Sequence, residues 1–487
     1  MPKNGVEHKP KIRSVKFNVL MNMILTSSAF IFPLITVPYV SRVLEPSGTG
    51  IVAWAQTFVS YFSLIALLGM NVYGVRECAR VRDDRAKLSQ LVQELSTILL
   101  ISTSVVYVVF LVSIFLIPRT REDISLMLIF SVSIWLASCG MEWFYQAIEQ
   151  YGYITVRNIA LKFVALILMF AFVRSSEDYR IYGITIVISG YGANIFNILR
   201  LRKFVDFSLH RKLNLRRHLK PMMSFTVSSI SSGMYIQIDM LLIGFMCSNV
   251  VIGLYQLVIK IKTLCITAVN SVGSVMLPRL SYYESKGGHE QTTRLIGKNI
   301  NFLFVVSMAL IAVLIVGAEP IIMLLGGKDY VGATTALRLI APTMLFAATN
   351  SILSQYMVAR GKEKIYAAIN FFGLICAIML DAILIRSFSL NGAAIGVCLC
   401  ELITLIVRLF VLHGFVREVR RHTDIVRILL AASIAFGASC VIPFFVYGLN
   451  SFIMLLSEAC VFGFVYLMLL ILLKENLICS ILKIIHS

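Results

Sequence analysis

The sequence predicts an all-α fold: a polytopic membrane protein with about 14 transmembrane helices, arranged as two six-helix parallel repeats plus a C-terminal helix pair. Three observations predict it. Hydrophobic residues make up 58% of the 487 and charged residues only 14%, against roughly 25% charged in an average soluble domain. Apolar runs of membrane-crossing length recur along the whole chain. The basic residues, 44 Lys and Arg against 25 Asp and Glu, concentrate in alternate loops. Length alone would allow about three soluble domains of ~150 residues, but so few charges could not cover three globular surfaces. With 29 Gly and 11 Pro, the chain is neither collagen-like nor disordered.

A crossing helix needs ~20 predominantly apolar residues. Such runs occupy 17–41, 50–75, 93–117, 125–147, 154–173, 180–199, 221–246, 251–276, 299–318, 333–357, 365–385, 390–412, 427–447 and 451–473. The first follows a basic tail (Lys3, Lys9, Lys11, Arg13, Lys16). It is longer than a secretory h-region and has no small-x-small cleavage site, so it reads as a signal anchor. Pro33 and Pro38 lie inside it. Each removes a backbone hydrogen bond and favours a kink. They mark a candidate gate, with a static kink as the alternative.

Charge counting orients the spans. Taking the N-terminus and every second loop as one side, that side carries 32 of the Lys and Arg residues and 13 acids. The opposite loops carry 7 of each, and the spans carry 5 of each. The positive-inside rule then places both termini in the cytoplasm. The net charge of +19 is therefore topological and is no evidence for nucleic-acid binding.

The domain reading follows. Residues 1–14 form a cytoplasmic basic tail, 15–200 an N-terminal six-helix half, 201–220 a basic cytoplasmic linker, 221–413 a C-terminal six-helix half, and 424–474 an added helix pair. A weak internal repeat supports the halves. Gly50 precedes Arg76 by 26 residues, as Gly253 precedes Arg279. The stretch from Gln146 to Asn158 has a counterpart from Val358 to Asn370. Transporters built from parallel repeats commonly place the substrate site between the halves near mid-membrane. No nucleotide-driven motor is encoded: Gly327-Lys328 lacks the upstream Gly of a phosphate loop, and Gly297-Lys298 is followed by Asn. The ten cysteines show no CxxC and no metal spacing, so no cofactor is expected.

An ionisable residue at the bilayer centre costs at least ~2.5–3.5 kcal/mol, so its presence suggests a wet cavity or a partner. The candidates are Glu142, Lys162, Asp239, Lys260, Lys262, Arg338, Asp381, Glu401, Arg408 and Glu458. Lys260 is the sharpest, with Gln256 one turn earlier on its face, whereas Lys262 points ~200° away. It reads as an ammonium that attracts an anion. The alternatives are snorkelling to the interface or pairing with Asp239. Asp239, Asp381 and Glu401 could bind a coupling cation or pair with bases. Arg408 follows Glu401 on the same face, and a structural pairing is open. Arg338 lies near the outer end of its span. Glu142 and Gln146 belong to a polar-aromatic stretch suited to a sugar. Arg157 and Lys162 could meet an anionic headgroup or mark the cytoplasmic boundary.

The stretch Pro33-Leu-Ile-Thr-Val-Pro38-Tyr39-Val-Ser-Arg42-Val-Leu44, followed by Gly48 and Gly50, resembles the first-helix signature of bacterial polysaccharide-unit flippases. So do Tyr61-Phe62, Gly69 and Gly74-Val-Arg76-Glu-Cys-Ala-Arg80-Val-Arg82-Asp83. The second half is similar at Asp239 to Gly244, Gly253-Leu-Tyr255 with Lys260, and Pro278-Arg279. This family lies in the multidrug/oligosaccharidyl-lipid/polysaccharide exporter superfamily. One departure is Glu45, where the pattern expects Gly. The resemblance implies a non-enzymatic flippase of the bacterial inner membrane. It would move undecaprenyl-diphosphate-linked oligosaccharide between leaflets by alternating access for O-antigen, capsule or exopolysaccharide assembly. Polymerase machinery would be a partner, and proton or sodium coupling is open. A cation-coupled multidrug exporter of the same fold is the alternative, then a polytopic polysaccharide polymerase or ligase.

Overall fold

A computed structural model describes residues 13–207, 213–273, 289–441 and 451–475. Among them every regular element is a helix. The chain divides into two compact units, Met1–Gln237 and Ile238–Ser487. Trp143 and Tyr145 fill the interior of the first and Tyr255 and Tyr330 that of the second, whereas large apolar residues such as Val108, Phe115, Phe163 and Ile167 face outward. That inversion of the soluble pattern fits a lipid-facing surface.

In unit 1, α1 (Val15–Ala66) starts at Ser14, whose hydroxyl accepts a hydrogen bond from Phe17 N at 3.3 Å. It runs through Pro33 and Pro38 and is interrupted at Glu45, with φ 56° and ψ 177°. Helical backbone is therefore lost just before Pro46, not at the two prolines read as a gate. Leu68 and Gly69, both at positive φ, turn the chain into α2 (Met70–Val81). A side chain on Gly69 would meet the Phe225 backbone at 2.7 Å. Asp84 caps α3 (Arg85–Leu116) by accepting from Ala86 N and Lys87 N at 3.1 and 3.0 Å. These bonds hold its carboxyl below the usual carboxylate range. Then come α4 (Pro118–Arg121), α5 (Ile124–Cys139), α6 (Glu142–Ala147), α7 (Tyr151–Phe172) and α8 (Tyr179–Val187). A π-turn at Ile188–Gly192 leads into α9 (Ala193–Leu201). The boundary between the units falls within α10 (Arg216–Met246).

Unit 2 contains α11 (Asn249–Gly273), α12 (His289–Val316), α13 (Ala318–Leu325), α14 (Thr334–Ile340) and α15 (Thr343–Ala359). They are followed by α16 (Glu363–Val411), α17 (His413–Arg420), α18 (Ile425–Ser439) and α19 (Ser451–Leu472). Ser389, at φ 49° and ψ −124°, breaks α16. The helix pair α18 and α19 packs Ala431, Ala435, Phe462 and Tyr466 against Ala312 of α12.

Among the described residues, ten helices are long and apolar enough to cross a membrane, or up to eleven if a bent pair counts as one. The difference from fourteen predicted runs has a physical origin. Lys16–Val81 and Glu363–Val411, of 66 and 49 residues, each contain two predicted runs joined across a single non-helical residue. At 1.5 Å per residue the shorter would reach ~74 Å, more than twice a ~30 Å hydrocarbon core. The run at 333–357 is bent by 48° between Ile340 and Thr343, and α18 has only 15 residues.

Candidate functional site

Unit 1 brings Glu142 and Arg157 together. Arg157, on α7, donates from Nη2 to Glu142 Oε2 at 3.1 Å and from Nη1 to the Ala193 carbonyl at 2.9 Å. Its guanidinium is 5.4 Å from the Tyr153 ring centroid. The accepting carbonyl belongs to the residue that follows the π-turn. Such turns leave helical carbonyls displaced and often occur at functional positions. Arg157 is buried while Glu142 is half-buried, so the pair is a neutralised unit whose acid is the more exposed member. Gln146 is also half-buried, one turn after Glu142.

Lys162 lies on the opposite part of α7 and reaches α1. Its ammonium donates to Ser28 Oγ at 2.8 Å and stands 5.7 Å from the Phe32 ring centroid. Its bonded partner is neutral, so its charge is not cancelled there. The contact falls one turn before Pro33. Pro33 and Pro38 themselves sit in continuous helix.

In unit 2 the acids converge. Asp239 of α10 accepts from Tyr255 Oη at 2.5 Å on Oδ2 and from Met240 N at 2.9 Å on Oδ1. Asp381 of α16 lies within electrostatic range of Asp239 and of Lys262 on α11. It is 1% exposed, and its Oδ1 has no hydrogen-bond partner among the described residues. Gly396, on the second part of α16, leaves room for that carboxyl, because a β-carbon there would collide with Asp381 Oδ1. Asp239 is thus bonded to the Tyr255 hydroxyl, while Asp381 is a second buried carboxyl within its electrostatic range. Lys260, the preferred base from the sequence, is half-buried on α11; the ammonium near Asp381 is that of Lys262. The two-residue offset placed these lysines on different faces of the helix, but it could not say which face met the acids.

The remaining residues stand apart. Glu401 accepts from Asn350 Nδ2 at 2.7 Å, and Arg408 donates to Asn370 Oδ1 at 2.7 Å. Arg338 is exposed and donates to the Ile315 carbonyl at 3.1 Å. Sequence reasoning missed Glu94, the completely buried acid of α3. It accepts from Arg217 Nε and His218 Nε2 at 3.0 and 2.8 Å, and His218 Nδ1 pairs with Tyr73 Oη at 2.7 Å. Its position two residues into an apolar run was the available signal.

A chain of bent, lipid-facing helices with paired charges buried inside them is a multi-pass membrane protein. Its relatives sharpen the class. Residues 15–284 match the family described as polysaccharide biosynthesis protein, and residues 225–383 match the MatE family. The chain belongs to the polysaccharide biosynthesis protein family. It is 24% identical over 412 residues to an Escherichia coli (strain K12) protein named "Putative O-antigen transporter", covering 82% of this chain and 97% of that one. A Shigella dysenteriae protein of the same name is 23% identical, covering 81% and 99%. Among solved structures, the lipid II flippase MurJ in an inward closed conformation aligns with a TM-score of 0.68 at 17% identity, covering 93% of this chain and 98% of that one. An inward-facing multidrug resistance MATE family transporter of the MOP superfamily aligns with a TM-score of 0.62 at 13% identity, covering 85% and 98%. The fold is thus that of the exporter superfamily inferred from the residues around Pro33 to Asp83.

Proposed function

We propose that the chain flips undecaprenyl-diphosphate-linked oligosaccharide repeat units from the inner to the outer leaflet of the bacterial cytoplasmic membrane, with both termini cytoplasmic. The observation that carries this reading is the near full-length match to two proteins named as O-antigen transporters. The physical chemistry agrees. A diphosphate entering low dielectric needs cationic partners. Arg157 and Arg408 are engaged by Glu142 and Asn370. Lys260, half-buried and without a carboxylate partner among the described residues, is the principal diphosphate-binding group. Lys162, held only by a neutral hydroxyl, is the second. Glu142 and Gln146 supply polar contacts to the sugar. Asp239 and Asp381 form the coupling site for a proton or sodium ion, since the orphaned Asp381 oxygen invites either. Glu401 is the third acid to test. The halves rock about a first helix bent beyond Pro33 and Pro38, and polymerase machinery consumes the product.

The test is export in a strain lacking its own repeat-unit flippase. Lys260→Gln is expected to lower surface polysaccharide at least about tenfold at unchanged membrane level, as loss of one charge-assisted contact requires. Normal export would remove Lys260 from the site. Asp381→Asn is expected to abolish dependence on the ion gradient. The MatE match over 225–383 favours one second reading, a cation-coupled multidrug exporter. Ethidium efflux by the wild type without any polysaccharide export would establish it.

A further inference from the structure

Unit 2 holds a cavity of about 580 Å³ lined by none of the residues assigned above. Its walls are apolar: Phe304 of α12, Phe346 and Leu353 of α15, and Leu405 and Leu409 of α16. One end is different. There α17 and the turn into α18 contribute Arg420, Thr423, Asp424 and Arg427. The short helix α17 buries Phe415 and Val419 and exposes Arg417 and Arg420, with Arg421 just beyond. Phe415 stacks on Tyr356 of α15 with ring centroids 3.7 Å apart, which seats α17 over the cavity. Arg427 is fixed by Asp424 Oδ1 at 3.2 Å and by the Lys474 carbonyl at 3.1 Å. Arg417, Arg420 and Arg421 have no carboxylate partner among the described residues.

The arrangement has two halves that demand one ligand. An apolar space of this size within a bilayer is of ligand-binding dimensions and is wetted by hydrocarbon, not water. Arg420 and Arg427 at its polar end outnumber the one acid there, Asp424, and attract phosphate, as basic pockets between transmembrane helices hold anionic headgroups. We propose that this cavity is a binding site for an anionic membrane phospholipid, with an acyl chain between α12, α15 and α16 and the phosphate on Arg420 at its polar end, beside Arg427. A bound lipid ties α17 and α18 to the three long helices. The site is independent of the transport reading, because lipid binding and not export is its readout.

The test uses the purified full-length protein in a neutral detergent, titrated with phosphatidylglycerol, phosphatidylcholine or undecaprenyl phosphate while thermal unfolding is followed. Phosphatidylglycerol is expected to raise the unfolding temperature at concentrations about tenfold below those at which phosphatidylcholine acts. At roughly 1 kcal/mol per surface arginine, R420Q is expected to weaken that preference by about fivefold. Leu345→Trp, which fills the cavity from α15, is expected to blunt the response to both phospholipids. Equal responses to the two phospholipids would overturn the proposal, as would an unchanged preference in R420Q. So would undecaprenyl phosphate acting at lower concentrations than phosphatidylglycerol, which would give the cavity to the carrier tail.

Discussion

At the scale of single residues, Glu45 joins a sequence anomaly to a structural one. The flippase-like pattern after Arg42 and Leu44 expects glycine at this position, and the chain carries glutamate. Its backbone lies at φ 56° and ψ 177°, a region populated almost only by glycine and costing other residues of order 1–3 kcal/mol. The side chain is exposed, so it offers little in return. Its carbonyl still accepts from Thr49 Oγ1 at 3.0 Å, a bond that any residue at 45 would keep. Glu45→Gly is therefore expected to stabilise the protein by about 1 kcal/mol, read as a raised thermal unfolding temperature in detergent. Glu45→Ala should give no such gain, because it keeps the β-carbon and the strain. Equal effects of Gly and Ala would refute the backbone argument. The departure was legible in the sequence, but its geometry was not. A pattern can say that glycine belongs at a site without saying which dihedral demands it.

At the scale of elements, long apolar periodicity was the legible signal and helix continuity was not. Hydropathy marks where a chain can enter lipid, but it does not register a single residue at positive φ. Runs 17–41 and 50–75 therefore appear as one helix broken at Glu45, and runs 365–385 and 390–412 as one broken at Ser389. The fastening of α2, α3 and α10 was invisible for a different reason. Tyr73, Glu94 and His218 are separated by up to 145 residues, and only the fold brings them together. Glu94 accepts at least four hydrogen bonds, from Gln90, Asn214, Arg217 and His218. A buried carboxylate held this way cannot be removed without stranding its donors. Glu94→Ala is expected to cost about 3 kcal/mol, seen as a lower unfolding temperature. Arg217→Gln should cost clearly less, since Arg217 is about half exposed at 48% and screened by water. A Glu94→Ala variant as stable as Arg217→Gln would show that the network does not hold the three helices.

At the scale of the whole molecule, a charge balance that by itself fits nucleic acid, lipid or substrate becomes a statement about topology. The candidate site was half legible. Composition and periodicity flagged Asp239 and Asp381 as costly intramembrane acids, and the structure places them within range of each other. Which lysine neighboured them depended on helix rotation, which hydropathy does not fix. The topology rests on the asymmetry of 32 bases on one set of loops against 7 on the other. Bases near span ends resist translocation, and acids contribute little. A reporter fused after Lys474 should therefore remain cytoplasmic: a fluorescent protein there should fluoresce, and alkaline phosphatase should be inactive. Phosphatase inserted at Lys328, the first residue of the 3-10 helix Lys328–Ala333 that follows α13, should be active. The decisive variant adds charge. Four lysines inserted beside Lys328 should lower phosphatase activity there and leave the Lys474 fusion unchanged, because the crowded basic loop at 200–220 still anchors the flanking spans. Phosphatase active at Lys474 and inactive at Lys328 in the unmodified chain would invert the topology. It would also place the basic linker, and with it most of the excess charge, on the outer side of the membrane.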